Sequence, residues 1–424
     1  MKKYIFILAL ICFSPQVISQ TILSGELRPK TEFRDGYRAP LGKDQLPVFL
    51  TSQRSRLNLL YKDSKISTRL SVQDVRLWGE AAPKADMSTI NLYEAWAELS
   101  VNPLLSLKMG RQELSYDQGR ILGAPNWNDV GITHDLFLLK YHKDFDLHIG
   151  FAYNNDKSKN SESNYPVKFY KTLAFARAEK NIGKYLNTSG IFLFDGNQPA
   201  GSDTRINSRY TYGINILVRN DSTNTRIYAQ GYLQSGKSPD GVKISAYMFS
   251  LSADHAFTGL LNGVLGIDYL SGDDPNSADG KLNSFSTVYG NGHTYYGSMD
   301  YFSSPQEDTR NGGLVDIYAK CLYKLSKRVS VDVTYHNLSL VNSIDDDITS
   351  PGEILASGKR LGSEIDFQAK YKALDNLEIN CGYSTMAPTS TVDLIKGVDN
   401  SGYQQWIWMT LSFKPEFLNT AKSK

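Results

Sequence analysis

From about residue 20 onward the chain alternates with period two, and its connections alternate between short and long. In Phe49–Tyr61, Leu57, Leu59 and Tyr61 share one face, against Arg54, Arg56 and Asn58 on the other. Farther on, Val315, Ile317, Ala319, Cys321 and Tyr323 oppose Asp316, Tyr318 and Lys320. Ile365, Phe367, Ala369 and Tyr371 oppose Glu364, Asp366, Gln368 and Lys370. No segment keeps a helical period for long, so the pattern predicts strands with one apolar and one polar face. About eighteen such segments can be counted, an even number as bacterial barrels require. Short connections such as Lys62–Lys65, Asn102-Pro103, Lys143–Phe145 and Ser326–Arg328 alternate with long ones such as Asp35–Val48, Glu113–Asp135, Gly272–Gly312 and Val341–Leu361. A soluble sandwich would alternate too, but its Greek-key connections show no regular short–long beat. Tyr61, Tyr141, Tyr153, Tyr323, Tyr335, Tyr371 and Tyr383 each end an apolar face, as interfacial aromatic girdles do. The fold class is therefore an all-β, up-and-down antiparallel transmembrane barrel, with short turns at one end and long loops at the other. Only a closed sheet pairs every strand backbone group in hydrocarbon.

The first residues fit that reading. Lys2 and Lys3 precede an apolar run from Tyr4 to Phe13, and Val17-Ile18-Ser19 precedes a cleavage site at Gln20, so residues 1–19 read as a signal peptide. Ile11 is large where a lipoprotein signal around Cys12 needs a small residue. The predicted organisation is a barrel over 20–415, with an inward loop at 111–135, a long outer loop at 272–312 and a C-terminal tail at 416–424. Of 46 Lys and Arg against 44 Asp and Glu, two lysines leave with the leader, which brings the balance from 46 − 44 = +2 to 44 − 44 = 0. Nothing in that balance favours nucleic acid. The remaining cysteines, Cys321 and Cys381, are too few for a disulfide framework and fall on apolar faces, so both are predicted to be free thiols facing lipid.

Polar faces then line a lumen, and their charge is uneven. Early strands supply Arg28, Arg54, Arg56, Arg69 and Lys108, with Glu94 and Glu98 between them. Late strands supply Asp254, Asp268, Asp316, Asp332, Glu364, Asp366 and Glu378, lightened by Lys320 and Lys370. The loop after Gly110 adds Arg111, Glu113, Asp117 and Arg120 among Leu114, Tyr116, Ile121, Leu122 and Trp127. Such a loop is long for a connection without secondary structure, and its apolar residues seek a packed environment, so it is expected to fold into the lumen. Rings of Arg or Lys select anions, and guanidinium groups hold carboxylates bidentately. The expectation is an anion-attracting constriction; the plainer alternative is a set of wall ion pairs with no selectivity. Strict alternation turns Arg76 and Arg111 outward unless a bulge intervenes, and Gly110 is a place for one. The loop at 272–312, with Tyr289, Tyr295, Tyr296, Tyr301 and Phe302, reads as a folded lid narrowing the outer mouth.

Several stretches carry a resemblance. Gln53-Arg54-Ser55-Arg56-Leu57, Gln73-Asp74-Val75-Arg76-Leu77-Trp78-Gly79, Glu94-Ala95-Trp96, Gly110-Arg111-Gln112-Glu113-Leu114, Leu270-Ser271-Gly272-Asp273 and Gly297-Ser298-Met299-Asp300-Tyr301-Phe302 resemble signatures of the alginate-export family of outer-membrane proteins. The resemblance spans essentially the whole chain after the leader, densest in the first third and after Ser271. It implies an eighteen-stranded barrel whose arginine-rich constriction passes an anionic polysaccharide. Matched residue by residue, it implies Arg54, Arg56, Arg76, Arg111 and Arg120 as pore cations, oriented by Glu94, Glu113 and Asp117. The partners expected are outer-membrane lipid and lipopolysaccharide, an anionic saccharide or other small anionic solute and, for an exporter, periplasmic export partners. An uptake porin for small solutes has the same physics.

Other chemistry is weakly signalled. The six histidines form no HExxH or close pair, and no GxSxG occurs, so neither a metal site, a cofactor nor a barrel hydrolase is expected. Asp345-Asp346-Asp347 and Asp273-Asp274 read as solvated outer loops rather than cation sites. Trp406 and Trp408 share the polar face of the last strand; stacking on sugar rings is the functional reading, and packing against the inward loop is the expected one.

Overall fold

A computed structural model describes residues 19–85, 89–158, 160, 169–199, 205–277, 279–344, 358–398 and 402–421. Residues 1–18 of the expected signal peptide and Asp345-Asp346-Asp347 lie outside these residues. Eighteen strands form the wall. They are β1 Gln20–Asp35, β2 Val48–Lys62, β3 Ile66–Leu77, β4 Ile90–Asn102, β5 Leu105–Gln112, β6 His134–His142, β7 Asp146–Tyr153, β8 Thr172–Ile182 and β9 Leu186–Asn197. The second half holds β10 Asn207–Asn220, β11 Thr225–Lys237, β12 Lys243–Ala256, β13 Leu261–Leu270, β14 Leu314–Lys324, β15 Val329–Ser339, β16 Arg360–Leu374, β17 Leu377–Pro388 and β18 Gln404–Phe413. Each strand pairs antiparallel with the next, and β18 returns to β1 through Lys30↔Thr410 and Glu32↔Trp408. The barrel is thus closed, which removes the exposed edge that hydrocarbon forbids.

Alternation sets the two surfaces. Leu57, Leu70, Phe151, Ile214, Leu251, Ile317, Ile365 and Ile407 stand exposed on the outer wall, with Tyr153, Tyr323, Tyr335 and Tyr371 exposed toward the strand ends. In water such a surface would be an aggregation liability; in a bilayer it is the solvent-matched face. Cys321 and Cys381 are free and exposed on this wall. Glu416–Asn419 is not a loose tail: it pairs with the start of β1 through Ile22↔Asn419 and Leu23↔Leu418.

The lumen departs from the expectation of a polar wall throughout. Leu136, Leu138, Leu173, Phe175, Leu193, Met248 and Leu270 point inward and are buried. The loops 113–133 and 271–313 cover them. Leu114, Ile121, Leu122, Phe285, Tyr296, Met299, Tyr301 and Phe302 make one apolar cluster with these wall residues inside the barrel. The two loops join edge to edge: Tyr289 N–H donates to Ile121 O at 3.1 Å, and Gly123 N–H donates to Tyr289 O at 2.9 Å. Fully burying one such side chain is worth about 1.5–3 kcal/mol, which explains why the loops stay inside. The loop end of the barrel is therefore packed, and cavities remain beside the loops.

Candidate functional site

Arginines on the early strands meet the inward loop first. The Arg28 guanidinium donates to the carbonyls of Asn126 and Trp127 and, at 2.7 Å, to the Asp129 carboxylate. Arg54 donates to Glu26 at 2.8 Å, to the Asn126 side chain at 2.9 Å and to Asn128 O at 3.2 Å. Arg56 donates to Gln73 at 2.7 Å, and its guanidinium lies 3.6 Å above the Tyr93 ring. A loop folded into a lumen carries backbone carbonyls that need donors, and a guanidinium supplies five in a rigid fork. The Asp129 carboxyl shows the balance. Burial pushes its pKa up, but Lys30, Ser52 and Arg28 outweigh burial and hold it below the ordinary carboxylate range.

The loop is pinned on the opposite wall as well. Asp117 accepts from Arg177 of β8 at 2.7 Å and from Ser189 of β9 at 2.6 Å. Arg120 donates through two nitrogens to Asp268 of β13, at 2.8 and 3.1 Å, and to Tyr296 of the second loop at 3.0 Å. The sequence-predicted residues therefore divide. Arg120, 2% exposed, is a buried clamp rather than a pore cation, and Arg54, 0% exposed, is likewise consumed in holding the loop. Asp117 orients Arg177, not the early arginines. Glu113 accepts from the Tyr93 hydroxyl.

Two expected pore cations are outside. Register runs unbroken through Gly110, from Trp96↔Gly110 to Ala95↔Arg111, although its φ is +115°. No bulge turns Arg111 inward; it pairs with outward-facing Asp135 at 2.7 Å. Arg76 shares the outer face with Asp74, 2.6 Å away. The bulge in this region falls instead on β4, between the pairs Ser71↔Glu94 and Val72↔Leu92, and it leaves Tyr93 buried beside the loop.

What remains is a basic wall. Arg69 pairs with Glu94 at 2.7 Å and Lys140 with Glu98 at 3.0 Å. Lys108 lies 3.9 Å above the Trp96 ring, and neither it nor Arg56 has an ion-pair partner among the described residues. Four cations (Arg56, Arg69, Lys108, Lys140) thus face two carboxylates (Glu94, Glu98), a local excess of 4 − 2 = +2. Opposite stands an acidic wall. His336 Nδ1 lies 2.8 Å from Asp316 and its Nε2 lies 3.7 Å from Asp366, while Glu364 accepts from Met299 N–H at 2.7 Å. Lys320 and Lys370 are paired with Asp332 and Glu378, each at 2.9 Å.

Two cavities run along the acidic wall. The upper, about 400 Å³, is lined by Trp127, Tyr295, Gly297, Ser298, Asp316, Asp366 and Trp408, among others. The lower, about 330 Å³, holds Arg28, Asp332, Lys370, Glu378 and Lys414. Trp127, Gln368 and Trp408 border both. The expected packing of Trp406 and Trp408 against the loop is present: Trp127 meets them edge-on at 5.4 and 4.7 Å and stacks on His293 at 4.5 Å. Asp273 and Asp274 cap loop backbone at Asn283 and Asn276, and no cluster of three potential metal ligands occurs among the described residues. Arg177 was not legible because the inward face of β8 carries Leu173 and Phe175, so polarity does not tell which face is the lumen.

A profile for alginate export matches residues 20–399. No curated protein sequence matches the chain. Solved outer-membrane proteins of Pseudomonas aeruginosa share its fold. OpdL superposes with a TM-score of 0.63 at 13% identity, covering 94% of this chain and 99% of that one. OpdK gives 0.62 at 12%, covering 94% and 99%. OprD gives 0.60 at 14%, covering 94% of each.

Proposed function

The chain belongs to the alginate export family and is an outer-membrane β-barrel channel, and from that premise we propose that it passes small carboxylated saccharides and related anions. The observation that carries this reading is the basic wall, where Arg56 and Lys108 have no carboxylate partner among the described residues. Cations lining a hydrated pore raise the local concentration of anions and lower their barrier to passage. Arg28 and Arg54 are already committed to the loop and Arg69 to Glu94, so selectivity rests on few residues. Size follows from the two packed loops, which leave room for a sugar or short oligosaccharide beside them. The family favours a second reading, export of an anionic polysaccharide, which requires the loops to move aside.

Planar-bilayer recording in a salt gradient tests the proposal. The reversal potential of the wild type should indicate anion preference, and Arg56→Gln with Lys108→Gln should bring it toward neutrality. Cation preference in the wild type, or no change in the double variant, rejects it. Block by a short uronate oligomer with passage of that oligomer supports the small-solute reading; tight block by long polyuronate alone supports polymer export.

A further inference from the structure

Near the loop end of β16, Glu364 and Asp366 stand two residues apart on the inward face, 0 and 2% exposed. The two carboxyl groups are in hydrogen-bonding contact with each other. The lid sits on them: Met299 N–H donates to Glu364 Oε1 at 2.7 Å, and Ser298 N–H donates to Asp366 Oδ2 at 3.3 Å. Gly297, at φ +94°, closes over the same site so tightly that an added Cβ would meet the Glu364 carboxyl. Glu364 Oε2 and Asp366 Oδ1 accept from no N–H or hydroxyl among the described residues. On the β17 side Met386 and Ser384 oppose the pair, and neither titrates. On the other side His336 of β15 places Nε2 3.7 Å from Asp366 and Nδ1 2.8 Å from Asp316 of β14. Arg120 is spent on Asp268 and Lys320 on Asp332. From the lid come Asp300, held by His293, Tyr37 and Arg38, and Tyr301, with Asp35 and Asp393 beyond it. Asp316, Glu364 and Asp366 therefore share one imidazole.

We propose that Glu364 and Asp366 hold one proton between them and that this proton latches the lid: when it leaves, the 297–299 turn lifts from β16 and the upper cavity, which Gly297 and Ser298 border, widens. Two carboxylates offer only acceptors, so a hydrogen bond between them needs a proton, and that proton belongs to the pair. With the turn seated, two adjacent charges would repel each other where no water reaches them. Lifting the turn admits water and lets both groups ionise with ordinary values of about 4. Opening thus releases one proton wherever the closed pair still holds it. The closed state binds more protons than the open one, so acid favours it and rising pH weakens it. This latch lies on the acidic wall and does not depend on the anion preference drawn from the basic one.

The test records single channels of the full-length chain in planar bilayers from neutrality into alkali. The wild type should gain a state of larger conductance, with an open-to-closed ratio that rises by up to tenfold per pH unit, the limit for one proton. Glu364→Gln should stay closed and lose that response, because its amide can donate to Asp366 while its carbonyl still accepts from Met299. His336→Gln should keep a one-proton slope, since the shared proton remains. Heat-modifiable migration on gels would show that the variants still form the barrel; should Glu364→Gln fail this, Asp366→Asn replaces it. Infrared spectra of the wild type give a measurement that needs no variant. A protonated-carboxyl band should be present at neutral pH and fade over the range in which the larger conductance appears. A missing band at neutral pH, or an open-to-closed ratio indifferent to pH or rising toward acid, overturns the proposal. So does a wild-type slope in Glu364→Gln, or loss of the slope in His336→Gln alone, which would make the imidazole the latch.

Discussion

At the scale of single residues, arginine does two different jobs that the sequence writes alike. Arg54 and Arg56 lie two apart on one face of β2, yet Arg54 is fully buried against Glu26 and loop carbonyls, while Arg56 is only half-buried, stacked on Tyr93 and touching the loop through Val130 O at 3.4 Å, with no carboxylate partner among the described residues. The face was readable from alternation; the partner was not, because it comes from Asn126–Val130, far along the chain. Arg120 is the sharpest case. Its bidentate bond to Asp268 sits where solvent is excluded, and removing one member of such a pair costs about 3–5 kcal/mol because the other charge is left uncompensated. Arg120→Leu should therefore free the inward loop from β13. Limited proteolysis of outer-membrane vesicles should then cut within 113–133 where the wild type resists, and channel conductance should rise. Arg76→Gln, on the outer face, should change neither; if it alters ion selectivity as strongly as Arg56→Gln, the placement of both residues is wrong.

At the scale of elements, the strands were legible and the loops only partly so. A strand announces its faces through period two, so the register of β2, β14 and β16 could be read directly. A loop announces only that it is rich in aromatic and aliphatic residues. That Leu122 and Tyr289 lie side by side, joining loops more than 160 residues apart in sequence, has no local signal. The same loop predicts an acid response. The Asp129 carboxyl is held below the ordinary range by Lys30, Ser52 and Arg28 acting against burial. Because its folded pKa lies beneath the unfolded value, its stabilising contribution is complete above about pH 4 and fades as pH falls through the folded value. Loop anchoring, followed by conductance or protease resistance, should thus hold from neutrality to about pH 4 and weaken only in stronger acid. Release already at mildly acidic pH would point to a histidine as the controlling group instead. Asp129→Asn should flatten the acid response, since it removes the titrating group but keeps an acceptor for Arg28.

At the scale of the whole molecule, every assignment of basic wall and acidic wall depends on which way the faces point. A slip of one residue would exchange lumen for lipid along an entire strand. The two cysteines report on this directly. Cys321 pairs with Gly263 and Val333, and Cys381 with Ala369 and Met409, all in the outward set of their strands. Two strands, β15 and β16, separate them, so they label independent sectors of the wall. In intact outer membranes a lipid-soluble maleimide should react with both thiols, while a charged maleimide that enters the lumen with water should leave both unmodified. After denaturation the charged reagent should label both, which controls for intrinsic reactivity. Labelling of Cys321 alone by the charged reagent in the folded protein would place the face of β14 inside out. Asp316 and Lys320 would then face lipid, where an uncompensated charge is strongly disfavoured near the bilayer centre. Protection of both thiols fixes the acidic wall and its cavity on the water side, because Asp316 and Asp366 alternate with the same outward rows that carry Ile317 and Ile365.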